Sequence, residues 1–392
     1  MDIEEATIGG WFQRTTLHLT EVYDFLSTGK SESGLDKVKL NLLRTNLHIL
    51  NVERKNGLLE YIEVSTHEGI SFRLYEDGLI ILRKNVQHGL ELALTDLRNY
   101  YDEKLSAAFS FLFSRGAPVP KELAHIDTIL PFILIARSVG KDDVADFFKK
   151  RGLRSYATLE SAQATVYKSD RIILVVSRTN LEKSRHLVEA QIFFREFKSQ
   201  LHTYLRIHRR VWDEIACIKE KGVIKGVEIK KMRAQLDAYQ KTIKLIESRI
   251  NQMSSYLRTR AKISSSQKID EALDQIFSYK YETLEDTLAY IKELWKMTDN
   301  YLNATLGRFS EIGAESTRNS IGSLRLITTI GVIAGILGYL GKDSLPPVTL
   351  TGGLFFVILL VVTWLVNELV SSYYSRRKYT LKKEEVKEGL LP

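Results

Sequence analysis

Two apolar runs near the C-terminus constrain this chain more than any other feature. From Ile321 to Leu340 the sequence reads IGSLRLITTIGVIAGILGYL, about the twenty residues needed to cross roughly 30 Å of hydrocarbon. A second run, Val348 to Val370, is richer in Leu, Val and Phe and carries Glu368 only near its end. Between them lies GKDSLPP, a polar turn with Pro346 and Pro347, and Arg376, Arg377, Lys378, Lys382 and Lys383 follow the second run. Elsewhere the most apolar stretches, Ile129 to Ala136 and Ala107 to Phe113, are about eight residues or fewer, the length of a buried strand or helix face. The pattern predicts a first transmembrane helix over 321–340, an extracytoplasmic loop over 341–347, a second transmembrane helix over 348–370 and a basic cytoplasmic tail over 371–392. Basic residues favour the cytoplasmic side, so both termini are expected there, in a two-span protein of the plasma membrane. The opening MDIEEATIGG is acidic and has no apolar stretch of the signal-peptide kind.

The rest of the chain reads as globular. It has 392 residues, 44% of them hydrophobic, enough for ordinary cores beside a modest membrane segment. One cysteine, Cys217, excludes an intrachain disulfide framework and suits a reducing compartment. The net charge of +8 is spread among nearly as many carboxylates, unlike the basic stripe of a nucleic-acid binder. Lipid, not nucleic acid, is the expected polyanionic partner.

Residues 1–178 predict a cytoplasmic α/β domain. ISFRLY and LIILRK flank Asp77 and Gly78, and ATVY and RIILVVS flank Lys168 to Asp170, each reading as a hairpin or successive strands. A helix is expected from about Val86 to Ser114, ended near Gly116. After Pro131 no proline appears until Pro346, and no glycine interrupts Val227 to Leu306, which predicts long helices. One is expected from about Asn180 to Glu220 and a second from about Glu228 to Ile263, an antiparallel pair filling 179–263. Ser264 and Gln267 read as a capping box opening a third helix, a stalk over 264–320 continuous with the first span. Its apolar positions Ile269, Leu273, Ile276, Leu284, Leu288, Ile291, Trp295, Leu302, Phe309 and Ile312 recur at helical spacing. Covering that stripe needs the preceding helices or copies of the stalk, so a homo-oligomer is expected.

Alternating steps of three and four along the stalk and first span give Gly313, Thr317, Ser320, Leu324, Thr328, Gly331, Gly335 and Gly338, nearly all small or hydroxylated. In a ring of helices this face could line an axial pore, its hydroxyls and carbonyls offering ions weak, multiple contacts. Gly331 and Gly335 also form a small-xxx-small pair that serves simple helix packing. Arg318 and Arg325 could form a basic collar at the pore mouth or anchor the helix to lipid phosphates, with Arg376, Arg377 and Lys378 as further membrane-proximal cations.

The layout resembles the CorA-type magnesium transporter superfamily: a cytoplasmic α/β domain, a helical pair, a long stalk entering the first span, a short outer loop, a second span and a basic tail. At residue level the resemblance is concentrated in IAGILG, Ile333 to Gly338, before the family's Gly-Met-Asn signature. Gly338, Tyr339 and Leu340 stand at the signature positions, so only the glycine matches. The resemblance implies a homopentamer with the stalk helices innermost, conducting a divalent cation. In the family the outer loop often supplies carboxylates; here Asp343 stands beside Lys342.

No P-loop, HExxH, paired CxxC or GxSxG stands in the chain, and neither an enzyme nor a cofactor is expected. His202 and His208 lie six apart, on different sides of a helix. Asp142, Asp143 and Asp146, and Asp270, Glu271 and Asp274, could hold a regulatory divalent ion or favour a helix's first turn. The expected function is an oligomeric cation channel or transporter. The alternatives are a membrane-anchored scaffold that no longer conducts, with Leu340 plugging the mouth, and passage of anions through the basic collar.

Overall fold

The computed structural model describes residues 1–11, 18–31, 34–87, 89–112, 131–137, 139–221, 223–277, 281–340 and 350–380. In chain order the elements are β1 (Asp2–Trp11), α1 (Leu19–Thr28), α2 (Lys37–Asn46), β2 (Ile49–Lys55), β3 (Tyr61–Thr66), β4 (Ile70–Tyr75) and β5 (Leu79–Asn85). They continue with α3 (Leu90–Asn99), a π-helical turn (Tyr100–Leu105), α4 (Ser106–Leu112), β6 (Phe132–Arg137), α5 (Lys141–Lys150), β7 (Ala157–Glu160), β8 (Ala164–Lys168) and β9 (Ile172–Ser177). The later elements are α6 (Leu181–Lys219), β10 (Val223–Lys225), α7 (Gly226–Ser266), α8 (Asp270–Phe277), α9 (Tyr281–Leu340), α10 (Leu350–Arg376) and β11 (Lys378–Thr380). The chain divides into two compact units, 1–206 with 244–293, and 207–243 with 294–392.

The first unit is an α/β domain built on a nine-stranded sheet of order β2-β3-β4-β5-β1-β6-β9-β8-β7. Both expected strand pairs form antiparallel hairpins, β4 with β5 and β8 with β9. Asp77 fixes the first: its carboxylate accepts the Leu79 N–H at 3.1 Å, and Gly78 takes the left-handed φ of 92° the turn needs. Among the described residues only β6 and β9 run parallel, Phe132 beside Ile172 through Arg137 beside Ser177.

Strand alternation sorts the side chains onto two covered faces. Ala6 and Ile8 of β1, Phe72 and Leu74 of β4, Ile80 and Leu82 of β5, and Leu134 of β6 join Phe25, Leu40, Leu97, Phe109 and Phe148 of α1 to α5 in one core. Glu5, Thr7, Gly9 and Trp11 of β1 turn to the opposite face, where α6 lies. Glu5 meets Arg185 at 2.9 Å, the Gly9 carbonyl accepts from Arg195 at 2.8 Å, and Trp11 stacks on Phe197 with centroids 5.6 Å apart. From Glu5 to Trp11 the strand advances about 20 Å at ~3.3 Å per residue, and from Arg185 to Phe197 the helix advances about 18 Å at 1.5 Å per residue. The two elements therefore stay in step.

Three sequence expectations are corrected. The helix expected from Val86 starts at Leu90, because the Val86 N–H still bonds to the Glu4 carbonyl at 3.0 Å and prolongs the sheet. It is also interrupted by the π-helical turn, where Tyr100 and Tyr101 are both buried and the Tyr100 hydroxyl donates to the Leu47 carbonyl at 2.9 Å; its expected end at Gly116 lies outside the described residues. Ser264 does not open a helix but lies in the last turn of α7. The Ile269 N–H bonds to the Ser264 carbonyl and the Lys268 N–H to the Ser265 carbonyl, both at 3.1 Å, with Lys268 left-handed at φ 55°. This is a Schellman end without its usual glycine. Of the expected continuous stalk, α8 and α9 are described, the latter 60 residues long and about 90 Å at 1.5 Å per residue; its continuity through 278–280 lies outside the described residues.

The apolar stripe is buried at every expected position from Ile269 to Phe309. Within the second unit Trp295 meets the His208 ring edge-on at 5.5 Å, while Trp212 stacks on Tyr301 at 4.6 Å. The chain itself thus covers this stretch without a second copy. Beyond Phe309 the character changes: Ile321, Ile327, Val332 and Ile333 on α9, and Leu354, Val357, Trp364 and Leu369 on α10, are exposed. Among the described residues no helix is long and apolar enough to cross a membrane, and several side chains within both apolar segments lie outside the described set.

Gly9 sits where β1 packs tightly between β5 and α6. A Cβ there would meet the Ile80 carbonyl oxygen at 2.7 Å, Ile81 Cδ1 at 2.9 Å and Ile192 Cδ1 at 3.0 Å. Gly9→Ala is therefore expected to destabilise the first unit by about 1–3 kcal/mol through overpacking, read as a lower urea midpoint of the tryptophan fluorescence transition.

Candidate functional site

Two parts of the chain carry unusual chemistry. In the first unit, the sheet face under α6 holds charges where apolar residues would be ordinary. Glu189 of α6 is buried, and its carboxylate accepts from Arg83 of β5, from the Tyr75 hydroxyl at 2.8 Å and from Arg73 Nη1 at 3.3 Å. Arg73 also donates to Glu63 at 2.7 Å, and His186 Nδ1 stands 3.7 Å from Glu189. Beside them Asp77 receives a two-pronged bond from Arg260 of α7 at 2.7 and 2.9 Å, and its carbonyl accepts the Trp11 indole N–H at 2.7 Å.

Burial alone would raise the Glu189 pKa; the charges of Arg83 and Arg73, with His186 nearby, outweigh it, and the carboxyl falls well below its usual range. Burial would likewise lower the Arg260 pKa, but Asp77 more than compensates and it is raised. Burial pushes the Tyr281 hydroxyl up to about 12, so it stays a neutral partner for the Ser264 hydroxyl at 2.7 Å and a donor to the Arg260 carbonyl at 3.1 Å. Every charge in this cluster has a counter-charge, which marks a structural clamp.

The second part is the small-residue face of α9 in the second unit. Thr317 and Thr328 donate their hydroxyls back to the Gly313 and Leu324 carbonyls at 2.9 and 2.8 Å, leaving oxygen lone pairs directed outward. A Cβ at Gly313, Gly331 or Gly335 would meet nothing within 4 Å. Gly313 and Thr317 line a groove of about 690 Å³ against Gly226, Ile229, Lys230 and Arg233 of α7, with Phe309, Arg318 and Ile321 completing it. The lower part of the small-residue face is therefore turned toward the chain's own α7. Arg325 is exposed on α9.

The side-chain environments of Ser320, Gly338, Tyr339 and Leu340 lie outside the described residues, as do the loop with Asp343 and the tail beyond Thr380. Arg376 closes α10, the Arg377 carbonyl accepts the Gly226 N–H at 3.2 Å, and Lys378 opens β11, which pairs antiparallel with β10. The start of the expected tail is thus a strand.

Among the described residues no group of three or more His, Cys, Asp or Glu could hold a metal ion. Asp142 and Asp143 occupy the first turn of α5, and Asp270 and Glu271 that of α8, where the helix dipole favours them. His208 stacks on Trp212 at 6.1 Å, and burial lowers its pKa. The charge cluster was not anticipated from sequence; its available signal is Arg185 and Glu189, four apart inside an apolar helical stretch.

No family model matches the chain, and no curated protein matches it. Among solved structures, the complete structure of the CorA magnesium transporter from Methanocaldococcus jannaschii is similar over 63% of this chain and 91% of its own, at 11% identity and a TM-score of 0.28.

Glu189→Gln should destabilise the first unit by about 3–5 kcal/mol, because it leaves Arg83 and Arg73 underpaired in a buried site. The carboxyl's folded pKa is depressed, so its stabilisation is fully present above the unfolded value of about 4.3 and is lost as pH falls toward the folded one. The wild-type melting midpoint should drop below about pH 5 more steeply than that of Glu189→Gln.

Proposed function

We propose that this chain is a CorA-like homopentameric channel or transporter of the plasma membrane. In this reading both termini are cytoplasmic, and a cation, a divalent metal, passes along an axis lined by α9. One observation carries it: α9 leaves a fully covered stretch ending at Phe309 and continues, still helical, into Ile321–Leu340 with Ile321, Val332 and Ile333 exposed. α10 follows with Leu354, Val357, Trp364 and Leu369 exposed. Apolar helices whose backbone groups bond internally suit hydrocarbon, and such exposed surface is unfavourable in water.

The proposed conducting face is the stride above the groove: Leu324, Thr328, Gly331, Gly335 and Gly338, with Thr317 and Ser320 at its approach. Hydroxyls and backbone carbonyls are the oxygen donors hard cations accept. Five copies would supply each position as a ring. No catalytic role or cofactor is assigned.

A second reading, a non-conducting membrane-anchored scaffold, is favoured by the groove. Gly313 and Thr317 are small where α7 of the same chain lies alongside, which explains them without a pore. Leu340 at the outer mouth also carries no oxygen ligand.

Flux into liposomes, compared across magnesium, cobalt, nickel, zinc and monovalent ions, separates the two. The channel reading predicts flux of at least one cation above protein-free vesicles, abolished by Gly335→Leu without a change in melting midpoint, since nothing in the chain crowds that position. Absence of all flux, with flux appearing in Leu340→Asn, would establish the scaffold.

A further inference from the structure

We infer that the groove between the first turns of α7 and residues 309–321 of α9 binds the phosphate headgroup of an anionic phospholipid. The inference rests on the membrane reading above only for the source of the phosphate. Three cations, Lys230, Arg233 and Arg318, line the groove, and no carboxylate does. All three are exposed, and among the described residues none is in an ion pair. On α9 the nearest acids, Glu311 and Glu315, are exposed and do not line the groove. Asp237, further along α7, is not among the lining residues either, and Glu228 is engaged with the Lys225 N–H at 3.2 Å.

Three like charges around one open groove repel one another unless an anion sits among them. A second element of the same unit repeats the pattern independently. In the β10–β11 pair Lys225 is directly opposite Lys378, a like-charge arrangement that destabilises a strand pair in water. Arg376 and Arg377 adjoin it, both exposed. The positive field therefore extends beyond the groove over the junction of α10 and β11.

A phospholipid fits the lining better than free phosphate. Ile229, Phe309 and Ile321 give the groove an apolar side beside its cations, the pairing that a glycerophosphate with attached acyl chains presents. The groove ends at Ile321, the first residue of the proposed span. Ser310 supplies a hydroxyl donor to phosphate oxygens, and the two arginines can meet those oxygens through paired N–H groups.

The test uses the full chain in mild detergent, reconstituted into nanodiscs of phosphatidylcholine alone or with phosphatidylglycerol, with retained lipid quantified by native mass spectrometry. Phosphatidylglycerol should be retained in preference to phosphatidylcholine. Lys230→Gln/Arg233→Gln/Arg318→Gln should weaken that preference by about a hundredfold at low salt, since each basic residue at an anionic surface contributes roughly a fivefold factor. The charge-keeping variant Lys230→Arg/Arg233→Lys/Arg318→Lys should retain most of it. Equal retention of both lipids, or a preference indifferent to the glutamine variant, overturns the site while the membrane reading stands. If the chain enters no bilayer, the membrane reading fails, and pyrophosphate titrated into soluble protein then decides: saturable binding lost in the glutamine variant assigns the groove to a free phosphate and overturns the lipid proposal, as does no binding at all.

Discussion

The ion cluster centred on Glu189 determines how the first unit can be assembled. A carboxylate with 4% exposure is tolerated only with its charge matched, and Arg73 and Arg83 meet it from neighbouring strands while Tyr75 adds a hydroxyl. Glu5 with Arg185, four residues earlier on α6, repeats the arrangement one turn away. Sliding α6 along β1 by a single turn would leave several buried charges facing apolar atoms. The polar contacts therefore select one helix register, while Gly9, Trp11, Ile192 and Phe197 supply the close packing that makes that register compact. Arg260 extends the same logic to α7 by gripping Asp77 in the β4–β5 turn and covering the Tyr75 ring at 4.4 Å.

Local rules reached much of this architecture. Asp77-Gly78 between alternating strands announced a hairpin, and the absence of proline and glycine announced α6 and α7, whose ends fall within a few residues of expectation. Expectations failed where a distant partner decides the outcome. Val86 is held by the Glu4 carbonyl from the far end of the chain, and Ser264, a sound capping residue by pattern, is the closing turn of α7 because Tyr281 and Ile269 engage it. The clamp was illegible for the same reason. Arg73 and Arg83 on strands look solvated until strand order brings both beneath one helix. On the candidate pore face the small-residue stride was visible, but not that its lower end has α7 for a neighbour.

The second unit poses a different physical problem. Up to Phe309 the α9 stripe is satisfied by aromatic neighbours, with Trp212, Tyr301 and the Lys219 ammonium layered on one another. Past that point the same helix presents apolar groups without cover in the single chain. Whatever covers them must be as apolar as they are, and the cations gathered just before Ile321 define where that apolar surrounding has to give way to a charged one.

Strand β1 has a consequence for how the chain is made. The ten residues of this strand occupy the centre of the sheet, and their two partners are residues 79–85 and 132–137. One edge of β1 finds its partner once residues 79–85 exist, but the other stays open until residues 132–137 have followed. An unpaired strand edge is prone to misassociate, so the interval between the two pairings is the stage at which this sheet is most open to aggregation.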